Sequence, residues 1–244
     1  MAGYEPRTYR EGALARGLCG FEVKLGATDL QVWAERDLTR EARAAATEAR
    51  RQVEEHTLTR PEFLRTLDPL EATQDCPPVV AAMYAAAMVA GVGPMAAVAG
   101  TIAEYVGRKL LEHSDQVIVE NGGDVFLASA IDRTIGVYAG GSPFSGRVGL
   151  RIPAERTPLG VCTSSATVGH SLSLGRADAA CVVATDCALA DAFATATCNR
   201  VCLDEDVEPT LEWTCGFDGI LHTLVILGDR LGMKGVLELQ PIRQ

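Results

Sequence analysis

The stretch QVIVENGGDVFLA, residues 116–128, decides how the chain is read. Two apolar runs, Gln116 to Val119 and Asp124 to Ala128, flank the polar segment Glu120-Asn121-Gly122-Gly123-Asp124. Asn-Gly between such runs is a strong hairpin signal, because both central residues of the tightest turns need φ above zero. The runs therefore read as strands that are neighbours in sequence. Two more follow, Ile135 to Ala139 and Arg147 to Ile152, again with glycine turns between them. Upstream, Phe21 to Leu25 and Asp29 to Trp33 flank Gly26-Ala27-Thr28 and predict a further hairpin.

Helical patterns lie between and after these strands. Asp37 caps a charged segment, LTREARAAATEARRQVEEH, whose Arg and Glu residues recur at i,i+3 and i,i+4, predicting a solvated helix lying on a sheet. Pro61 and Pro77-Pro78 punctuate the connection to a helix from about Val79 to Val89. A turn at Gly91 to Pro94 then opens the next helix, MAAVAGTIAEYVGRKLLEH, with Pro94 where a missing N–H costs nothing. Later come a strand from Leu159 to Ser165, a buried strand from Ala179 to Thr185 and a small-residue helix from Cys187 to Cys198. An acidic loop, Leu203 to Glu208, leads to a closing pair of strands, His222 to Leu227 and Val236 to Gln240. Adjacent hairpins mixed with helices predict an α+β fold rather than repeated strand–helix–strand units. No repeat or low-complexity linker divides it, so residues 1–244 read as one domain with residues 1–17 as a polar arm.

Composition narrows the function. The 244 residues are 48% hydrophobic and 22% charged, an ordinary globular mix. The net charge is −10, which argues against nucleic acid or an anionic membrane as partner, since phosphate-rich surfaces are bound by cationic contacts. An anionic ligand would need a local pocket of amides, a few basic groups or a metal ion. Residues 76–103 carry no charge and are long enough to span a bilayer. They are nevertheless rich in Ala and Gly, broken by Gly91-Val92-Gly93-Pro94, and lack Trp/Tyr or Lys/Arg flanks, so they read as two buried helices. The start, MAGYEPRTYREGALAR, has no apolar core of a signal peptide. The expectation is a cytoplasmic chain whose eight cysteines are free thiols. Cys198 and Cys202 stand four apart as if on one helical face, but no second pair has zinc-ribbon spacing.

Three clusters could carry chemistry. The first is Glu120, Asn121, Gly122, Gly123 and Asp124, with carboxylates on both sides of glycines that admit close backbone approach. The second is Thr163, Ser164, Ser165, Thr167, Gly169, His170, Ser171, Ser173 and Gly175, a dense donor set suited to a phosphate. Gly169-His170-Ser171-Leu172-Ser173 falls short of a nucleophile elbow because its glycine–serine spacing is wrong. The third is Asp191 and Thr195, four apart, which on a helix set a carboxylate and a hydroxyl side by side as hard ligands for Mg²⁺. Asp191 could instead be a cap or a buried hydrogen-bonding group, and Asp186, at the start of the same helix, is the rival for the cap.

Taken together, Gly93-Pro94-Met95-Ala96-Ala97-Val98-Ala99-Gly100, the Glu120–Asp124 segment, Thr163-Ser164-Ser165, Gly169-His170-Ser171 and Ala190-Asp191-Ala192 with Thr195 resemble the ApbE-like superfamily. The likeness is greater to a prokaryotic branch of it, over nearly the whole chain, than to its flavin transferases, which match over about residues 90–200. The resemblance implies mixed or antiparallel sheets packed with helices. ApbE transferases move FMN from FAD onto a threonine of a target protein using Mg²⁺. The resemblance carries their metal-holding Asp and Thr onto Asp191 and Thr195. Their Thr-Ser-Gly step matches Thr163-Ser164 with Ser165 in place of the glycine, and their His-Ile-Ile-Asp-Pro segment is absent.

These readings predict a protein that binds FAD, FMN or another small phosphorylated ligand with Mg²⁺ and acts as a flavin- or phosphoryl-group transferase. Asp191 and Thr195 would take the metal. Glu120, Asn121, Gly122, Gly123, Thr163, Ser164, Ser165, Gly169 and Ser171 would line the ligand, and His170 and Asp124 would move protons. The alternative is a non-catalytic binding module, or an oligomeric structural protein whose Ala/Gly-rich helices pack across a two-fold axis.

Overall fold

The computed structural model describes residues 15–168 and 173–242. It opens with the expected hairpin. Strands β1 (Cys19–Leu25) and β2 (Thr28–Ala34) pair with Leu25 opposite Thr28, and Gly26 takes the positive φ of 59° that the turn needs. Helix α1 (Thr39–Thr59) begins where Asp37 accepts the Thr39 amide at 2.8 Å. Its buried stripe is almost all alanine (Ala42, Ala45, Ala46, Ala49), which sets it close against its neighbours, while Arg51 pairs with Glu48 and Glu55 in solvent.

A short helix, α2 (Glu62–Arg65), leads to α3 (Pro78–Ala90). Gly91 ends α3 in the left-handed region at φ 73°, and Pro94–Ala97 forms a 3₁₀ turn that runs into α4 (Val98–Leu110). The axes before and after this break differ by 108°. Among the described residues, no single helix is long and apolar enough to cross a membrane.

Strands β3 (Val117–Asn121) and β4 (Asp124–Ala128) form the hairpin read from the sequence, with Asn121 opposite Asp124. Strands β5 (Arg133–Gly136) and β6 (Val148–Ile152) leave for a second sheet before the chain returns in β7 (Leu159–Ser164). Strand β8 (Ala179–Ala184), helix α5 (Cys187–Arg200) and helix α6 (Val207–Thr214) follow. The chain ends in β9 (Ile220–Leu227), β10 (Arg230–Gly235) and β11 (Glu238–Pro241).

Eight strands form one sheet in the order β1-β2-β3-β4-β7-β8-β9-β10, and β11-β6-β5 form a smaller one, every pair antiparallel. Period-two alternation gives the large sheet two buried faces. One face, with Val119, Phe126, Cys162 and Val182, packs under α1, α3, α4 and α5. The other, with Ile118, Val125, Val161, Cys181 and Leu224, is closed by Leu150 and Ile152 of the small sheet. This is the α+β arrangement of antiparallel sheets and helices that the sequence predicts.

Three readings need correction. The expected strand Ile135 to Ala139 is displaced to Arg133–Gly136. The acidic segment is not a loop. Asp206 accepts the amides of Cys202 and Leu203 at 2.9 and 2.8 Å, and α6 follows, with Pro209 in its first turn where no amide is missed. The closing hairpin pairs β9 with Arg230–Gly235, and the segment around Val236 to Gln240 supplies β11 to the other sheet. Strand β10 lacks an apolar signature because its buried position, the one that faces α6, is a glycine, Gly232. A Cβ at Gly232 would stand 2.5 Å from Val207 and 3.0 Å from Leu211.

All eight cysteines are unpaired. Cys202 lies past the end of α5, so it does not share a helical face with Cys198. No group of three or more His, Cys, Asp or Glu residues suited to a metal occurs among the described residues.

Candidate functional site

The site begins at the β3–β4 turn. Gly122 and Gly123 have φ of 72° and 106°, the pair of positive values that a two-residue hairpin requires. The glycines are thus needed by the turn itself, and the Glu120 side chain braces it by accepting the Gly123 amide at 2.9 Å. Because Asn121 and Asp124 are partners across the hairpin, both side chains emerge on the helix-covered face. Asn121 Nδ2 donates to the carbonyl of Ala99 at 3.0 Å. Glu120 is opposite Val125, which belongs to the face toward the small sheet.

Strand β7 divides in the same way. Cys162 and Ser164 lie on the helix face. Thr163 is opposite Cys181 on the other, and contributes its amide, which donates to Asp124 Oδ1 at 3.3 Å. Above this strand runs α5, whose cap is Asp186: its side chain accepts the Leu189 amide at 2.8 Å. Asp191 is therefore released from capping its own helix. It lies one turn further in, buried, with Oδ2 accepting the Gly100 amide of α4 at 2.8 Å, and the Ala99 amide also acts on it. In return, Glu104 of α4 accepts the Cys187 amide that opens α5 at 2.6 Å. Each helix places a carboxylate on the other's first-turn amides, where the helix dipole favours negative charge. The close approach depends on two glycines. A Cβ at Gly100 would lie 2.5 Å from the Cys187 carbonyl, and one at Gly160 would lie 2.6 Å from the Cys187 Cα.

Asp124, Asp191, Ser164 and Thr195 converge between β4, β7 and α5. The Ser164 and Thr195 hydroxyls are 3.2 Å apart. Burial pushes the Asp191 carboxyl up to about 7, against the opposing pull of the Gly100 and Ala99 amides. Burial also raises Asp124 well above the ordinary carboxylate range, and the charge of Asp191 adds to this while the Thr163 amide and the Cys162 thiol work against it. The main groups acting on the pair among the described residues are amides, a thiol and the Glu120 carboxyl. Such a pair keeps a proton at neutral pH or takes a cation.

The structure thus brings together Asn121, Asp124, Ser164, Asp191 and Thr195, with the Thr163 amide and the Gly122-Gly123 turn at their edge. It sets Glu120 on the reverse face. Ser165 turns away, accepting the amides of Thr167 and Val168 at 3.1 and 2.9 Å, and Gly169, His170 and Ser171 follow in sequence. Those three residues lie outside the described residues. A depression of about 500 Å³ lined by Ala166, Thr167, Gly175, Arg176, Cys202 and Leu227 does not include the carboxyl pair. Sequence reasoning about the site left out Cys162 and Glu104. The small apolar context GVCTSS gives Cys162 no signal beyond that of a buried thiol, and Glu104 in TIAEYVGRKLLEH reads as one charge among several on a helix.

A family model described as AbpE bacteria matches residues 12–211. Among curated relatives, a UPF0280 protein of Methanocaldococcus jannaschii is 42% identical over 191 residues, 76% of this chain and 78% of that protein. One of Methanoculleus marisnigri is 43% identical over 203 residues, 82% of this chain and 81% of the other. The ApbE protein of Thermotoga maritima superposes with a TM-score of 0.57 at 13% identity, covering 88% of this chain and 96% of its own. The flavin transferase ApbE of Vibrio cholerae gives 0.55 at 12% identity, covering 89% and 96%. At such identities the likeness is one of fold. By sequence the chain belongs to the AbpE bacteria family, and it is built on the ApbE fold.

Proposed function

We propose that the protein binds a phosphate-bearing ligand, FAD, FMN or another phosphorylated compound, through Mg²⁺ held by Asp191 and Thr195, and transfers a flavin or phosphoryl group from it. The observation that carries this reading is the buried pair Asp124–Asp191, two carboxyls set together between β4, β7 and α5 and both raised by burial. The donor set fits the ion: carboxylate and hydroxyl oxygens are the hard ligands that Mg²⁺ takes, and it completes its shell with water and phosphate. Bound there, Mg²⁺ supplies charge neutralisation at phosphate oxygens.

The chain's own residues do the rest. The Gly100 and Ala99 amides hold the Asp191 carboxyl in place, one helical turn before Thr195. Ser164 orients the Thr195 hydroxyl, and the Thr163 amide orients Asp124. Asp124 holds a proton that it can give to a departing oxygen, and His170 is the second candidate for proton transfer. The relatives are named as UPF0280 proteins and the fold neighbours as flavin transferases, which supports a flavin as the ligand to try first.

The test is thermal melting with FAD, FMN and ATP, each with and without Mg²⁺, on the wild type and Asp191→Asn. The expected result is a Mg²⁺-dependent rise with a phosphorylated ligand that Asp191→Asn loses. An equal rise in the variant overturns the metal assignment. Ser165 in the glycine's place and the absent His-Ile-Ile-Asp-Pro segment favour a second reading, binding without transfer. Incubation with FAD, Mg²⁺ and a threonine-bearing acceptor separates the two: transfer adds the mass of FMN less one water to the acceptor and releases AMP, whereas binding alone does neither.

A further inference from the structure

The Ala99 carbonyl and the Gly100 amide are the two ends of one peptide group, and a different buried side chain holds each end. Asn121 Nδ2 donates to the Ala99 oxygen at 3.0 Å. Asp191 Oδ2 accepts from the Gly100 nitrogen at 2.8 Å. A peptide group is planar, so fixing the direction of its oxygen fixes the direction of its N–H. A hydrogen bond received at the carbonyl also polarises the group and strengthens the N–H as a donor. What Asn121 does at one end is therefore felt by Asp191 at the other.

The surroundings leave this peptide little freedom. It lies in the first turn of α4, where a Cβ on Gly100 would stand 2.5 Å from the Cys187 carbonyl and 2.8 Å from the Asp191 Cβ. The turn is thus seated directly on α5. Asn121 is buried and fixed from both sides, opposite Leu30 of β2 and Asp124 of β4.

Asn121 reaches both members of the carboxyl pair, by different routes. Its backbone is the hairpin partner of Asp124, and its side chain is linked to Asp191 through a single peptide. The sequence groups Asn121 with residues that line a ligand, but in the fold its amide nitrogen is directed at α4.

We propose that Asn121 is a positioning residue for Asp191, acting through the Ala99–Gly100 peptide, and that it thereby sets how well the Asp191–Thr195 pair holds a cation. The second half rests on the reading of that pair as the holder of Mg²⁺. Groups that orient a metal ligand contribute to affinity without touching the ion, and losing one costs about tenfold to a hundredfold in binding.

The experiment uses the full chain labelled with ¹³C at alanine carbonyls and ¹⁵N at glycine. A carbonyl–amide correlation spectrum then contains only the four Ala-Gly steps of the sequence, 2–3, 90–91, 99–100 and 139–140. The 99–100 signal is the one that Asp191→Asn moves most, and it reports both ends of the peptide in question. Two variants remove the donor: Asn121→Leu keeps the volume, and Asn121→Ala guards against overpacking, with melting curves to show that each is folded during the measurement. In both, the Ala99 carbonyl carbon and the Gly100 amide proton should move upfield together. Calorimetric titration with Mg²⁺ alone should give a dissociation constant about tenfold to a hundredfold above the wild type. A Gly100 proton unmoved in both variants overturns the proposal, as does a moved proton with unchanged Mg²⁺ affinity. A merely structural Asn121 would lower the melting temperature and leave both readings at their wild-type values. A wild type that binds no Mg²⁺ overturns the metal reading, and the Gly100 proton, measured without metal, still confirms or refutes Asn121 as the group that positions Asp191.

Discussion

Asp191 on α5 accepts the amide of Gly100 on α4 at 2.8 Å, across 91 residues of sequence. Together with the return bond from the Cys187 amide to Glu104, it locks the starts of two helices to each other above β4 and β7. The carboxylate offered to a ligand is thus also a fastener of the fold, so substitutions there separate into chemical and structural effects.

Asp191→Asn keeps an oxygen for the Gly100 amide, whereas Asp191→Ala leaves that amide without a partner. Chemical denaturation should show Ala less stable than Asn by about 1–2 kcal/mol, the usual cost of a buried unpaired donor. Equal stability of the two variants would mean that the bond contributes nothing.

Gly100→Ala should destabilise although alanine is the better helix former by about 1 kcal/mol. The added methyl would stand 2.5 Å from the Cys187 carbonyl and 2.8 Å from the Asp191 Cβ, so α4 and α5 must part. Overpacking of this kind costs about 1–3 kcal/mol. A rise in melting temperature would refute the close approach.

His222 lies in the core between the two sheets, 1% exposed, with Nδ1 taking the Leu237 amide at 3.3 Å and Nε2 without a hydrogen-bond partner. Burial pushes its pKa down to about 4. At His222 the folded state therefore binds fewer protons than the unfolded one between about pH 6.5 and 4, so this side chain's contribution to stability falls as the pH is lowered through that window, opposite in sign to the contribution of the raised Asp124–Asp191 pair. The loss is roughly 3 kcal/mol when complete. Denaturation curves at pH 7 and pH 4 should show His222→Leu losing less on acidification than the wild type. Equal losses would move the acid sensitivity to other groups.

Thiol labelling should divide the cysteines by burial. Cys19 and Cys202 are exposed, while Cys162, Cys181 and Cys187 are buried, and burial lifts the latter two thiols to about 11. In native protein at pH 8, mass spectrometry after a short pulse of alkylating reagent should find the first two modified and the last three untouched until denaturant is added. Rapid labelling of Cys162 would contradict the packing of β7 under α5.

The sequence shows the strands that alternate or run apolar, because their period reports a buried face directly. It hides β10, whose Gly232 exists to let α6 approach, and α6 itself, whose acidic start looks like a solvated loop. In the site, Asp191 and Thr195 are legible as a helical pair and Asn121 and Asp124 as flanks of a turn. What spacing along the chain cannot show is that hairpin pairing puts Asn121 and Asp124 on one face and Glu120 on the other, or that Asp186 takes the cap and releases Asp191. The first depends on the register that the Gly122-Gly123 turn sets, and the placing of Asp191 depends on which helix start lies nearest, fixed by contacts more than 80 residues apart along the chain, Gly100–Asp191 and Glu104–Cys187.

The small sheet is ordered β11-β6-β5, so a strand near the end of the chain completes an assembly whose other members left the ribosome some 90 residues earlier, as the pairing of Glu238 with Arg151 shows. Until residues 238–241 emerge, β6 has one partner instead of two, and the large sheet's second face is closed by an unfinished lid. Synthesis at about 5–20 residues per second holds the nascent chain in that half-covered state for several seconds. A ribosome stalled before β11 should therefore display apolar surface that trigger-type chaperones bind, and releasing the last strand should end that binding.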